Sequence, residues 1–125
     1  MATPSLGDIA TEFLTLCAQG QVDVAYDQFV SDDFIHHNAY FPSDRESLRL
    51  AMKESAIKEP NKSFEVKQAV ESADRVATLS HLRRQDANTE YAVVHILRFH
   101  EGRIVEMWDV SQEIPKESPN KLGMF

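Results

Sequence analysis

The chain has 125 residues, of which 42% are hydrophobic and 26% charged; this is the make-up of one globular domain (1–125) with its own core, and it excludes a disordered chain. The net charge of −7 repels phosphate backbones and anionic lipid headgroups, which speaks against nucleic acid and membrane surfaces as partners. Cys17 is the one cysteine, so no internal disulfide can form and a reducing, cytoplasmic setting is expected.

Residues 1–8 contain neither a basic region nor an apolar run, unlike a secretory signal, and no apolar run reaches the ~20 residues that a bilayer requires. Leu6, Ile9, Phe13, Leu16 and Cys17 recur at helical spacing. Ser5 is the expected N-cap, with Asp8 in the capping-box position, and Gly20 is the expected stop. Cys17 falls on the apolar stripe and reads as a buried small hydrophobe rather than a nucleophile. A second short helix presents Val22, Ala25, Tyr26 and Phe29 on one face. Phe34-Ile35-His36-His37-Asn38 reads as a short strand, closed by the loop 39–42. Ser43-Asp44-Arg45-Glu46 reads as a capping box, with Ser43 as the cap and Glu46 reaching back. Leu48 and Met52 form the inner face of this third helix, and Pro60 stops it.

After Pro60 the helical period gives way to alternation. Phe64, Val66 and Val70 alternate with Glu65, Lys67 and Glu71. A turn at 72–74 leads to a strand at 75–84, whose Arg83-Arg84 reads as a solvated end. Residues 85–89 turn again, and 90–100 and 103–113 are the last two strands. Helices followed by an antiparallel meander give an α+β domain.

The last hairpin turns at His100-Glu101-Gly102-Arg103. A two-residue type I′ turn would put Glu101 at positive φ, which glutamate disfavours. A type I turn with Gly102 left-handed and a bulge is expected instead. That register opposes Leu97 to Val105, His95 to Met107 and Val93 to Asp109. One face then carries Val93, His95, Leu97, Phe99, Val105, Met107 and Asp109; the other carries Ala92, Val94, Ile96, Arg98, Ile104, Glu106, Trp108 and Val110. Both are largely apolar. One face is expected to meet the helices and the other a second copy, in a homodimer with Trp108 as anchor.

Burying an unpaired carboxylate is costly, so Asp109 on its apolar face is expected to be paired, protonated or functional. His95 shares that face. Alternation sends His36 and His37 to opposite sides, with His37 taken as the inward residue able to pair with Asp109. Asn38, Val93, Leu97, Val105 and Met107 are the expected pocket lining. Adjacent histidines cannot easily ligate one ion from a single strand, and no HExxH occurs, so no metal is expected. No GxGxxG, Walker loop or GxSxG is present, and no cofactor is expected.

The segment Phe34-Ile35-His36-His37-Asn38 with its proline loop, and the run Val94 to Phe99, Gly102-Arg103-Ile104-Val105-Glu106-Met107-Trp108-Asp109-Val110, Gln112 and Pro115, resemble the SnoaL-like polyketide cyclase family of the nuclear-transport-factor-2-like (cystatin-like) superfold. The resemblance implies N-terminal helices packed in a strongly curved antiparallel sheet, a cone with a central pocket, and a dimer through the sheet. It implies aldol-type chemistry without metal or cofactor, with Asp109 as the acid after tryptophan and His37 as the histidine before asparagine. The chain departs from the family pattern at His95, where an acid is frequent, and at Met107, where a histidine is frequent. The expected function is a cofactor-independent acid–base lyase or isomerase acting on a small apolar substrate, with Asp109, His37 and His95 as its catalytic groups. Two alternatives remain: a small-molecule binding or dimeric interaction module without turnover, and a hydrolase or dehydratase that activates water with a His–Asp pair. The Met124-Phe125 end is left open between covering the pocket mouth, packing at the dimer interface and fraying.

Overall fold

The computed structural model describes residues 3–125. Helix α1 (Leu6–Ala18) begins where the sequence signals it. Ser5 Oγ accepts from the Asp8 amide at 3.0 Å, and Asp8 Oδ2 accepts from the Ser5 amide at 3.3 Å. This reciprocal cap satisfies donors that the first turn leaves without partners. At the other end Gly20 takes φ +86°, and the amides of Gly20 and Gln21 return to the carbonyls of Cys17 and Leu16, closing the helix through a left-handed residue. Helix α2 (Val22–Phe29) buries Val22, Ala25, Tyr26 and Phe29.

Helix α3 (Arg45–Lys58) is capped one residue later than the sequence suggested. Asp44 is the cap, and its carboxylate accepts from the Ser47 amide at 2.9 Å and the Ser47 hydroxyl at 2.7 Å. A carboxylate suits the positive end of a helix, and the Ser43 carbonyl is already taken by the His36 amide at 3.1 Å. Glu46 pairs with Arg49 rather than reaching back.

Among the described residues, β1 (Val30–His36), β2 (Lys62–Ser72), β3 (Arg75–Arg84), β4 (Thr89–His100) and β5 (Arg103–Glu113) form a five-stranded sheet in the order β1-β5-β4-β3-β2. β2 to β5 make the expected antiparallel meander, and β1 adds to its β5 edge in parallel. The sheet therefore has one parallel pair. Bulges interrupt β2 between Val66 and Gln68 and the β4–β5 ladder at Arg98/Phe99. Each bends its strand and increases the local twist, which curves the sheet around the helices. Phe13, Tyr26, Phe34, Leu97, Ile104 and Met107 fill the space between. The rings of Phe13 and Tyr26 lie 5.7 Å apart, and those of Tyr26 and Phe34 lie 6.1 Å apart edge-on, the offsets that aromatic quadrupoles favour.

The β4–β5 turn differs from the expectation. Glu101 and Gly102 take φ +50° and +77°, and His100 pairs directly with Arg103, so the loop is the two-residue turn. Its twist matches that of the flanking strands, and that match outweighs the cost of a left-handed glutamate at an exposed tip. The bulge falls at Val105 instead, since Ile104 pairs with Phe99 and Glu106 with Arg98. Two corrections follow. Ile104 is buried on the helix-facing side, and His95 opposes Asp109 rather than Met107.

The chain end is also placed. The Phe125 ring stacks on His81 at 4.6 Å, with Lys67 Nζ 5.9 Å from its centre. His81 alternates with the buried Thr78 and Ser80 side chains, so the tail folds onto the outer face of the sheet and away from the inner one.

Candidate active site

The inner face of the sheet and helices α1 and α3 enclose an open cleft of about 620 Å³. Its apolar wall includes Leu14, Leu48, Met52, Phe64, Leu82 and Val93, and Asn38, His95 and Asp109 lie along it. The corrected register explains the grouping. His95 on β4 stands opposite Asp109 on β5 and opposite Thr78 on β3, so three polar side chains form one row across the sheet. Directly opposed residues have Cβ atoms roughly 4.5–5.5 Å apart.

Asp109 is held from the segment just after β1. Asn38 Nδ2 donates to Asp109 Oδ2 at 2.9 Å. The Asn38 side chain is itself oriented, because its Oδ1 accepts from the Tyr40 amide at 2.9 Å. The Asn38 amide donates to His36 Nδ1 at 3.1 Å, which puts the neutral His36 proton on Nε2. The relay thus runs from His36 through Asn38 to Asp109, and Asn38 acts on the carboxylate as well as lining the cleft.

The inward histidine is His36, 1% exposed; the expectation for His37 is corrected. His36 pairs with the buried Met107 and stacks on Phe34. The next residue must face the other way. His37 lies on the outer face, stacked on Trp108 at 4.9 Å with Nε2 2.7 Å from Glu106 Oε2. It therefore has no access to Asp109 in this arrangement.

His95 is buried, its ring edge-on to Phe64 at 6.3 Å. Its Nδ1 is buried without a hydrogen-bond partner, as are Thr78 Oγ1 and Ser80 Oγ on the adjacent strand. Burial pushes its pKa down from 6.5 to about 4, against the pull of the Asp109 carboxylate. The imidazole is therefore neutral near pH 7. Below pH 6.5 the unfolded chain takes up a proton that the folded site refuses, so this contribution to stability is complete above pH 6.5 and is lost as pH falls towards 4. Melting temperatures measured across this range are expected to fall earlier on acidification in the wild type than in His95→Gln. Superimposable profiles would contradict the assignment.

The remaining expected lining residues divide. Asn38 and Val93 line the cleft. Leu97 and Met107 are 0% and 1% exposed and belong to the core beneath it. Val105 sits in the bulge, outside the lining. Cys17 does border the cleft, and burial pushes its thiol up to about 12, so it stays protonated. Sequence reading missed one polar group. Lys62 and Arg84, the latter taken for a solvated strand end, lie in the cleft with Glu59. The signal was present, because alternation from Phe64 back to Lys62 keeps both on the inner face.

Among the described residues, no three His, Cys, Asp or Glu side chains are grouped to hold a metal ion, and no helix is long and apolar enough to cross a membrane. No curated protein matches the chain by sequence. Three solved structures show what it resembles in three dimensions. A SnoaL-like polyketide cyclase from Agrobacterium tumefaciens is 20% identical, with TM-score 0.72 over 88% of this chain and 93% of that one. IdmH from Streptomyces antibioticus is 20% identical, with TM-score 0.73 over 87% and 93%. A cystatin-fold protein from Novosphingobium aromaticivorans is 18% identical, with TM-score 0.72 over 86% and 99%. At these identities the likeness establishes the fold alone. The sequence profile of the SnoaL-like domain matches residues 10–107. That match ends two residues short of Asp109, whose place in the site rests on the cleft geometry. With most of its length matched, the chain belongs to the SnoaL-like domain family.

Proposed function

We propose that the protein is a cofactor-independent acid–base enzyme of the cyclase or isomerase type, which moves a proton next to the carbonyl of a small, largely apolar substrate. The observation that carries this reading is the opposition of Asp109 and His95 in the wall of an otherwise mostly apolar cleft. Asp109 is the base. Asn38 holds Oδ2, and among the described residues Oδ1 has no hydrogen-bond partner, so one oxygen is oriented by the other. The proton passes from the carbon to the carboxylate, and the C–H electron pair moves into the carbonyl to form an enolate. Neutral His95 donates to the developing oxyanion, an interaction that strengthens as charge builds. His36 acts only through Asn38 and is a positioning residue. Membership of the SnoaL-like family and the fold shared with a SnoaL-like polyketide cyclase support activity of this general kind.

The experiment is deuterium exchange in D2O, followed by NMR, at the positions next to the ketone of a hydrophobic cyclic ketone. Exchange above the buffer rate supports the proposal. A ketone that binds and is recovered without label favours the second reading, a binding module without turnover. The departure at Met107, a fully buried core side chain, favours that second reading. Solvent oxygen appearing in the product would point instead to water activated by the His–Asp pair.

The outer face supports a second copy as partner. Trp108 lies between His37 and the Arg75 guanidinium, 5.3 Å from its ring. Val94, Ile96 and Val110 are exposed around it. Light scattering is expected to give a dimer for the wild type and a folded monomer for Ile96→Lys, since a lysine there meets its own copy across a two-fold axis. A wild-type monomer at high concentration would overturn the dimer.

A further inference from the structure

The inner face changes character along β3. Its inward positions run Thr78, Ser80, Leu82 and Arg84. Thr78 is level with His95, Leu82 is level with Tyr91 and Phe64, and Arg84 is level with Lys62. The cleft therefore passes from the Asp109–His95 row, along an apolar stretch, to a row holding two cations. From Thr78 to Arg84 is roughly 20 Å of extended strand, which the inward reach of the side chains shortens.

The two cations differ. Arg84 is committed to Glu59, its Nε 2.9 Å from Oε1. Lys62 has no carboxylate partner among the described residues, and its Nζ donates to Ser55 Oγ at 2.6 Å. The charges that act on it are Glu59 and Arg84, of opposite sign and paired with each other. Glu113, the other acid lining this part of the cleft, is engaged by the Tyr91 hydroxyl at 3.4 Å. A half-buried ammonium with a neutralised neighbourhood is under-compensated, and burial accordingly pulls its pKa below the ordinary lysine value.

We infer that this end of the cleft is an anion subsite: Lys62, beside Arg84, takes the carboxylate of an elongated keto acid whose carbonyl lies at Asp109 and His95. The carbonyl end rests on the proton-transfer reading above; the Lys62 end does not. An ammonium–carboxylate contact supplies the charge that Lys62 lacks, and the apolar stretch through Leu82, Tyr91 and Phe64 takes the body of the ligand. A neutral substrate would leave the ammonium as it is, so the subsite selects acids over their esters.

The test uses undecanoate with a ketone beside its terminal methyl group, and its methyl ester, titrated into the whole protein by calorimetry. The acid is expected to bind about tenfold more tightly than the ester, as a charge-assisted hydrogen bond in a partly dry site provides. Lys62→Met, checked for an unchanged melting temperature, is expected to remove that difference, and Lys62→Arg to retain it. Asp109→Asn is expected to leave it intact. Equal binding of acid and ester, a difference that survives Lys62→Met, or no saturable binding of the acid overturns the subsite. Tight, Lys62-dependent binding without deuterium exchange upholds the subsite and removes the proton-transfer reading, so the two fail separately.

Discussion

Replacing Asp109 with asparagine is expected to slow deuterium exchange next to the ketone by ~10²–10⁴-fold, the range that a positioned general base contributes, while the fold stays intact. The substitution changes little but the base. Asparagine has the same shape, and its side-chain oxygen can still accept from Asn38, so the relay from His36 is kept. Asp109 is only partly buried on its strand, so losing its charge does not strand a partner in the core. The same variant is informative about the competing readings. A non-catalytic module loses nothing at this position beyond a modest change in affinity. Full exchange activity in a folded Asp109→Asn protein would therefore remove Asp109 from the mechanism, and with it the proposed reaction.

Leu97→Ala is expected to cost ~2–5 kcal/mol of folding stability, a large share of the ~5–15 kcal/mol that holds a domain together. Leu97 lies opposite Val76 and Met107 on the two neighbouring strands, and all three are fully buried against the helices. Truncation leaves a closed cavity that the surrounding strands cannot fill. Val93→Ala, four residues back along β4 but in the cleft wall, removes less side chain and opens the space onto an existing cleft, so its cost is smaller. Urea unfolding of both variants checks the order. Equal losses would mean that Leu97 lines an open pocket, as expected from the sequence, and that the inner face has been divided wrongly between core and site.

What the sequence revealed was largely local. The Ser5–Asp8 cap, the stop at Gly20, the buried face of α2 and the limits of β3 and β5 depend on neighbours a few residues away, and all of them stand in the structure. The parts of the site that were hidden depend on distant residues. Whether His36 or His37 points inward is decided by the pairing of His36 with Met107 on a parallel neighbour, and two adjacent histidines carry no local mark of that choice. The partner of His95 turns on where one extra residue is placed. Glu101 disfavours the two-residue turn, and Val105 in a bulge looks like any other β-branched strand residue. The outcome was set by strand twist, a property of the whole hairpin. Asp109 was legible as a lone acid on an apolar face, but the Asn38 amide that holds it follows β1, a neighbour of β5 in the sheet that is far from it in sequence.

The most direct test of the central claim is a crystal structure with a planar phenol, a mimic of the enolate, bound in the cleft. The account predicts the phenol oxygen at ~2.6–3.2 Å from a ring nitrogen of His95, the distance of a working proton donor, with the ring carbon beside that oxygen turned towards Asp109. A phenol seated elsewhere, or one whose oxygen meets neither group, would contradict it.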